Sequence, residues 1–166
     1  GTALGDSSGA VNVGLGGTFQ LLSDETISSY VGAGDPGAGM NDSVLILGAN
    51  TLTTTGSAAL GDVVSNGGSI NAGTSITDND DDNNVVGSSI FLQAGTNIGT
   101  ALDPLETGVA NLEATADTGV FLASTSDVII GGVGAAVGVS TTNGSIVLSS
   151  TSSLTIGEDV SAVGAG

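Results

Sequence analysis

The chain has 166 residues with 17 Asp and Glu side chains and no Lys, Arg or His, which gives a formal charge of −17. Because nucleic acids and anionic membranes are bound through Lys and Arg, neither is expected as a partner. The same composition excludes a Ser–His–Asp triad, a thiolate nucleophile, a Schiff-base lysine and a histidine metal site, and we predict no enzymatic activity. Since side chains cannot form ion pairs here, the negative charge must be spread out, screened by salt or neutralised by metal cations.

A hydrophobic content of 39% and a mean hydropathy of +0.39 indicate a folded domain. The apolar residues are mainly Val, Ile, Leu and Ala, with three Phe, one Tyr and no Trp, so a core of small branched side chains is predicted. The absence of Cys excludes a disulfide framework, and stability must come from repetition. No apolar stretch reaches the length of a membrane span and no leader is visible, so we expect a soluble domain with any export signal outside it.

In chain order, short runs of Val, Ile and Leu alternate with Gly, Ser, Thr, Asn and Asp, which predicts strands and turns throughout. Four runs share a spacing, with apolar residues at offsets 0, 2 and 8 and an Ile or Thr at offset 10, and two weaker copies, the first and third in chain order, extend the series to six. The runs are GTFQLLSDETISS, SVLILGANTLTTT, GSINAGTSIT, SSIFLQAGTNIGT, TGVFLASTSDVIIG and GSIVLSSTSSLTIG. Their first apolar positions are Phe19, Val44, Ile70, Ile90, Val120 and Ile146. Because residues two apart on a strand face the same side, each pair predicts a short inward-facing strand.

Repeats at intervals of 20 to 30 residues are typical of a solenoid, in which each strand pairs in parallel with its equivalents in the neighbouring coils. The sequence therefore predicts an all-β fold, a parallel β-solenoid of about six irregular coils of 20–30 residues, with residues 1–166 as a single domain. Gly, Asn and Asp supply the positive-φ corners that such coils need. Neither terminus resembles a cap, which indicates a segment of a longer solenoid or self-association into a filament.

An acidic run, ITDNDDDNNVV, lies between the third and fourth repeats at residues 76–86. Carboxylate and amide oxygens are the hard ligands that Ca²⁺ prefers, so calcium is the cofactor that this run would bind. The candidate metal ligands are Asp78, Asp80, Asp81 and Asp82. Their spacing resembles the start of an EF-hand loop, but Asn83 stands where the turn needs Gly and Ser89 where a bidentate Glu belongs. A solvated corner loop explains the run equally well, and both interpretations stay open.

The remaining acidic residues are scattered along the chain. Asp24 with Glu25, and Glu158 with Asp159, fit a solvated surface or contacts between molecules through a shared cation. Because two carboxylates suffice for glycoside hydrolysis, a glycan-binding or glycan-cleaving β-helix module is the alternative function. The lack of basic residues and the scarcity of aromatic residues weigh against a sugar-binding groove. The threonines do not recur at fixed offsets, so no ice-binding array is predicted.

The run GSSIFLQAGTNIGTALDPLETGVANLEATADTGVFLASTSDVIIGG, followed by STTNGSIVLSSTSSLTIGEDVSA, resembles the repeat shaft of large bacterial surface proteins of the filamentous-haemagglutinin and autotransporter-adhesin type. The resemblance is best over residues 87–161, and IGTALDPLETGVANLEA is its most specific part. It implies a right-handed parallel β-helix, an extracellular or cell-surface location and a shaft without a catalytic site. The expected function is a structural building block of an extracellular fibre, sheath or surface-adhesin shaft that assembles end to end through β-strand stacking, with contact to glycans or the cell surface left open.

Overall fold

The computed structural model describes residues 9–34, 42–80, 82–134 and 138–164. The described residues form 18 β-strands and no helix, and so contain no helix of the length and apolarity that a membrane span requires. The strands are β1 (Ala10–Val13), β2 (Thr18–Gln20), β3 (Glu25–Ile27), β4 (Ser29–Gly32), β5 (Val44–Gly48), β6 (Thr51–Thr54), β7 (Ala58–Leu60), β8 (Asp62–Ala72), β9 (Ile76–Asp78), β10 (Val85–Ala94), β11 (Asn97–Ile98), β12 (Leu105–Ala116), β13 (Gly119–Ser124), β14 (Val128–Ile130), β15 (Val139–Thr141), β16 (Ser145–Ser150), β17 (Leu154–Ile156) and β18 (Val160–Ala162).

The strands wind into a solenoid with three faces, because each strand pairs in parallel with strands of the neighbouring coils. The first face contains β1, β4, β7, β9, β11 and the beginnings of β13 and β16. The second face contains β2, β5, the first parts of β8, β10 and β12, and the ends of β13 and β16. The third face contains β3, β6, the last parts of β8, β10 and β12, and then β14, β15, β17 and β18.

Equivalent positions on the first face count the turns of the solenoid. These positions are Val11, Tyr30, Ala58, Ile76, Ile98, Val120 and Ile146. Six turns therefore separate Val11 from Ile146, and each turn takes between 18 and 28 residues. The prediction of an all-β, parallel β-solenoid of about six irregular coils is confirmed.

The core runs along the axis of the solenoid as stacked rows of branched side chains. One row on the third face consists of Leu52, Ile70, Leu92, Ala114 and Val139, all fully buried. Near the first coil, the rings of Phe19 and Tyr30 stack with their centroids 6.2 Å apart. Because neighbouring strands lie about 4.8 Å apart, each inward side chain contacts its equivalents above and below. Burial of an Ile or Leu in such a row contributes about 1.5–3 kcal/mol relative to exposure.

The register of the last two predicted repeats is correct, since Val120 pairs with Ile146. The alignment of the fourth repeat is wrong, because Ile98 rather than Ile90 stands beside Val120. Ile90 instead pairs with Leu112 on the third face. A two-residue spacing recurs on every face, so it predicts a strand without showing which face that strand belongs to.

The inward side of the second predicted repeat is also wrong by one residue. Leu45 and Leu47 are fully buried, whereas Val44 and Ile46, predicted to face inward, are partly exposed. Four consecutive apolar residues carry no alternation, so their sequence does not indicate which pair faces the core.

Candidate functional site

One corner of the solenoid, between the first and second faces, brings together acidic side chains from four successive coils. The chain turns this corner between β4 and β5, between β7 and β8, between β9 and β10, and between β11 and β12. We call it the acidic corner, and its side chains are Asp42, Asp62, Asp78, Asp80, Asp82 and Glu106.

Counted from β1–β3 as the first coil, β4–β6 form the second, β7 and β8 the third, and β9 and β10 the fourth. The β9–β10 connection of the fourth coil passes over the third coil and contacts the second. This is feasible because the third coil turns the corner with a single residue, Gly61. Asn79 Nδ2 donates a hydrogen bond of 2.6 Å to the carbonyl oxygen of Gly32 in the second coil. A Cβ atom on Gly34 would lie 2.0 Å from the carbonyl oxygen of Asn79, so the close approach requires glycine at this position. The fourth-coil loop is therefore anchored on a strand two coils away.

Within the loop, carboxylate oxygens accept hydrogen bonds that fix its shape. The backbone N–H of Asp80 donates to Asp78 Oδ1 (2.9 Å), and that of Asp82 donates to Asp80 Oδ1 (3.2 Å). The buried amide of Asn84 donates through Nδ2 to Asp78 Oδ1 (2.6 Å) and to Asp80 Oδ1 (3.2 Å). These Asx-type bonds order the backbone and use one oxygen of each of two carboxylates.

Three aspartates form a compact group that we call the Asp triad, consisting of Asp42, Asp80 and Asp82. Each contributes a carboxylate oxygen, and the three oxygens lie within 4.8 Å of one another. Asp42 is 5% exposed and Asp80 is 9% exposed. The Oδ2 atom of Asp80 and the Oδ1 atom of Asp82 are buried and accept no hydrogen bond from the described residues. The triad therefore presents buried acceptor atoms that the described part of the chain does not satisfy.

The structure brings together only part of the sequence-predicted metal ligands. Asp80 and Asp82 belong to the Asp triad. Asp78 lies outside it and instead accepts the hydrogen bonds that shape the loop. Asp81 lies outside the described residues. Asp42, which sequence reasoning missed, comes from the β4–β5 connection two coils earlier, and only the register of the coils could have indicated it.

The pKa shifts at the acidic corner all have the same direction. Burial, reinforced by the negative charges of neighbouring aspartates, raises the pKa of Asp80 to about 7. Burial and nearby carboxylates also raise the pKa values of Asp62 and Asp82. Burial and the contact with Asp78 raise the pKa of Glu106 to about 7. Because the chain has no basic side chain to oppose these shifts, the corner favours the uptake of protons or of cations.

The last described coil is uncovered on its outer side. Strands β16, β17 and β18 pair with β13, β14 and β15, and no described strand pairs with their other edges. Ile156 continues the row of the buried Ile130, and Val160 continues the row of the buried Val139. Ile156 is nevertheless 53% exposed and Val160 is 40% exposed. An apolar cross-section and an open strand edge therefore coincide at this end.

Chemically, the acidic corner offers hard oxygen ligands suited to a divalent cation. Comparison with protein-family models, with curated proteins and with solved structures finds no match for the chain. The acidic corner and the uncovered last coil are the two features of the described residues that bear most directly on function.

Proposed function

We propose that the chain is a structural building block of an extracellular fibre, sheath or surface-adhesin shaft, which lengthens by end-to-end stacking of β-coils. The observation that supports this function is the uncovered last coil. Its edge strands present unpaired backbone N–H and C=O groups, which are a template for pairing with another strand. Covering Ile156 and Val160 would add apolar burial worth about 1–2 kcal/mol for each half-exposed side chain.

The partner that fits the last coil is the first coil of a second copy. Strands β1, β2 and β3 pair with β4, β5 and β6, and no described strand pairs with their other edges. All strand pairs in the solenoid are parallel, so the first coil of one copy can pair in parallel with the last coil of another. Each face then continues from one copy to the next, for example with Val11 of one copy beside Ile146 of the other. A head-to-tail contact of this kind does not close on itself and generates a filament.

The charge and composition of the chain suit an exposed, extended material. A formal charge of −17 keeps neighbouring rods apart laterally, so growth along the axis is favoured over bundling. The absence of Lys and Arg leaves trypsin-like proteases no cleavage site. The resemblance of residues 87–161 to adhesin shafts supports the same extracellular or cell-surface role.

A row of uncharged polar side chains on the third face favours glycan binding as a second candidate function. The row faces outward and consists of Thr26, Thr53, Asn71, Gln93, Thr115, Ser140 and Ser161. Hydroxyl and amide groups repeating at about 4.8 Å can donate to and accept from sugar hydroxyls. Binding on a glycan array that is lost on changing Asn71 and Gln93 to Ala would support this candidate.

Sedimentation velocity and electron microscopy of the purified chain test end-to-end stacking. We expect the sedimentation coefficient to rise with concentration and rods to be much longer than one chain. Ile156→Asp should abolish this association, because a carboxylate would be buried between stacked coils. Leu102→Asp is the matched control, since Leu102 is 99% exposed on the β11–β12 connection and should not affect stacking.

Two outcomes would contradict the proposal. A chain that stays monomeric at high concentration would show that the uncovered coil does not bind a second copy. Association that is weakened equally by Ile156→Asp and Leu102→Asp would reflect added charge rather than a contact at the last coil.

A further inference from the structure

Two buried oxygens of the Asp triad, Asp80 Oδ2 and Asp82 Oδ1, have no hydrogen-bond partner among the described residues. Asp80 is about nine-tenths buried, and its Oδ2 atom accepts no hydrogen bond from the described residues. The side-chain amide of Asn84 donates through Nδ2 to the Oδ1 atoms of Asp78 and Asp80, not to this oxygen. No Lys, Arg or His exists anywhere in the chain to pair with these carboxylates. Since buried polar groups are almost always satisfied, and no basic side chain is present to do so, these oxygens suit a bound cation.

We propose that Asp42, Asp80 and Asp82 bind one calcium ion, which joins the second coil of the solenoid to the fourth. Three oxygens within 4.8 Å of one another fit on one Ca²⁺ coordination shell, whose diameter is about 4.6–5.2 Å. All the ligand atoms are carboxylate oxygens, which Ca²⁺ prefers, whereas Zn²⁺ prefers nitrogen and sulfur. The irregular loop suits the flexible coordination of Ca²⁺ better than the strict octahedron of Mg²⁺.

The position of the site gives the ion a structural role. Asp42 immediately precedes Ser43 and β5, whereas Asp80 and Asp82 belong to the β9–β10 connection. The loop already rests on the second coil through the hydrogen bond from Asn79 to Gly32. A calcium ion would convert this contact between like-charged segments into a cross-link over the intervening third coil. The proposal does not depend on end-to-end stacking, because the three ligands belong to one chain.

Calorimetric titration of the chelator-treated chain with CaCl₂ tests the site directly. We expect one ion per chain. At a free concentration about 100-fold above the dissociation constant, the unfolding temperature should rise by about 5–10 °C. Asp42→Asn and Asp80→Asn should each weaken binding by at least about tenfold and remove most of the rise, because each loses a charged ligand. Asn is close in shape to Asp, so far-UV circular dichroism should show both variants folded.

Two controls separate a specific site from general screening of the negative charge. Asp127→Asn removes an exposed acid outside the acidic corner and should bind calcium like the unmodified chain. NaCl at matched ionic strength should not reproduce the thermal shift. An equal calcium response in Asp80→Asn, or in NaCl, would overturn the proposal. Unchanged calcium affinity in Asp42→Asn would show that the ion is held by the loop alone and does not join the coils.

Discussion

The carboxyl group of Glu106 provides a test of the electrostatics of the acidic corner. It lies on β12, where its backbone N–H donates a hydrogen bond of 2.9 Å to Asn84 Oδ1. Burial is the main cause that raises its pKa from 4.5 to about 7, followed by a hydrogen bond with Asp78 and by the charges of Asp78 and Asp103. The folded protein therefore holds a proton on Glu106 at pH values where the unfolded chain has released it.

The sign of the pH dependence follows from this raised pKa. The stabilising contribution of Glu106 is fully present below pH 4.5 and is lost as the pH rises through about 7. The full difference in pKa corresponds to about 3 kcal/mol, and because the side chain is partly exposed, solvent screening reduces this to about 1–2 kcal/mol. Glu106→Gln imitates the protonated acid and can still donate to Asp78. We therefore expect it to raise the free energy of unfolding by about 1–2 kcal/mol at pH 8 and by less than half of that at pH 5.

Urea unfolding followed by circular dichroism, in chelator at pH 5 and pH 8, measures both values. Asp127→Asn is the control of opposite sign, because hydrogen bonds from Ser152 and Ser153 hold the pKa of this exposed carboxyl below its usual range. That variant should lower stability by about the same amount at pH 5 and pH 8, because both values lie above the ordinary pKa of 3.8, and the loss should shrink only below that pH. Equal effects of Glu106→Gln at the two pH values, or a loss of stability at pH 8, would refute the reasoning.

Two further predictions concern the fold itself and use the same urea unfolding assay. Ile98→Ala should cost about 2–4 kcal/mol, because Ile98 is fully buried, whereas Ile129→Ala, at a side chain 43% exposed, should cost less than about 1 kcal/mol. Similar losses in both would contradict a continuous core row. Gly87→Ala should lower the free energy of unfolding strongly, because φ at Gly87 is 136° and a Cβ atom there would lie 1.9 Å from the carbonyl oxygen of Ser65. Gly16 has a φ of 69° but open space around a Cβ atom, so Gly16→Ala should cost only about 1 kcal/mol. Equal losses of stability in Gly87→Ala and Gly16→Ala would contradict this prediction, because they would show that β10 shifts at Gly87 to make room for the Cβ atom.

The fold class was predictable because a solenoid repeats its local pattern. Short runs of Val, Ile and Leu between Gly, Asn and Asp predicted strands and corners, and the repeats beginning at Val120 and Ile146 pair as predicted. The register of the earlier repeats was not predictable, since β8, β10 and β12 each continue across two faces. A strand that bends at Gly87 has no turn sequence of several residues to mark the corner.

The site was predictable only where its residues are close in sequence. The acidic run correctly indicated the region of Asp80 and Asp82, but Asp42 and Glu106 reach the corner from other coils. Because the turns differ in length, sequence spacing alone does not show which corners are stacked. The buried Glu113 was missed for a similar reason, as its Oε1 atom accepts hydrogen bonds from backbone N–H groups some twenty residues later.

Outside the acidic corner, several described carboxylates accept hydrogen bonds from backbone N–H groups. Glu113 accepts from the N–H groups of Val133 and Gly134, and Asp24 accepts from that of Thr51. Such donors stabilise a negative charge without a basic side chain. At the Asp triad, by contrast, backbone and amide donors reach one oxygen of Asp80 and leave Oδ2 buried without one. The proposed calcium ion would therefore compensate this corner and not the net charge, so a divalent ion should stabilise the protein where the same ionic strength of a monovalent salt does not.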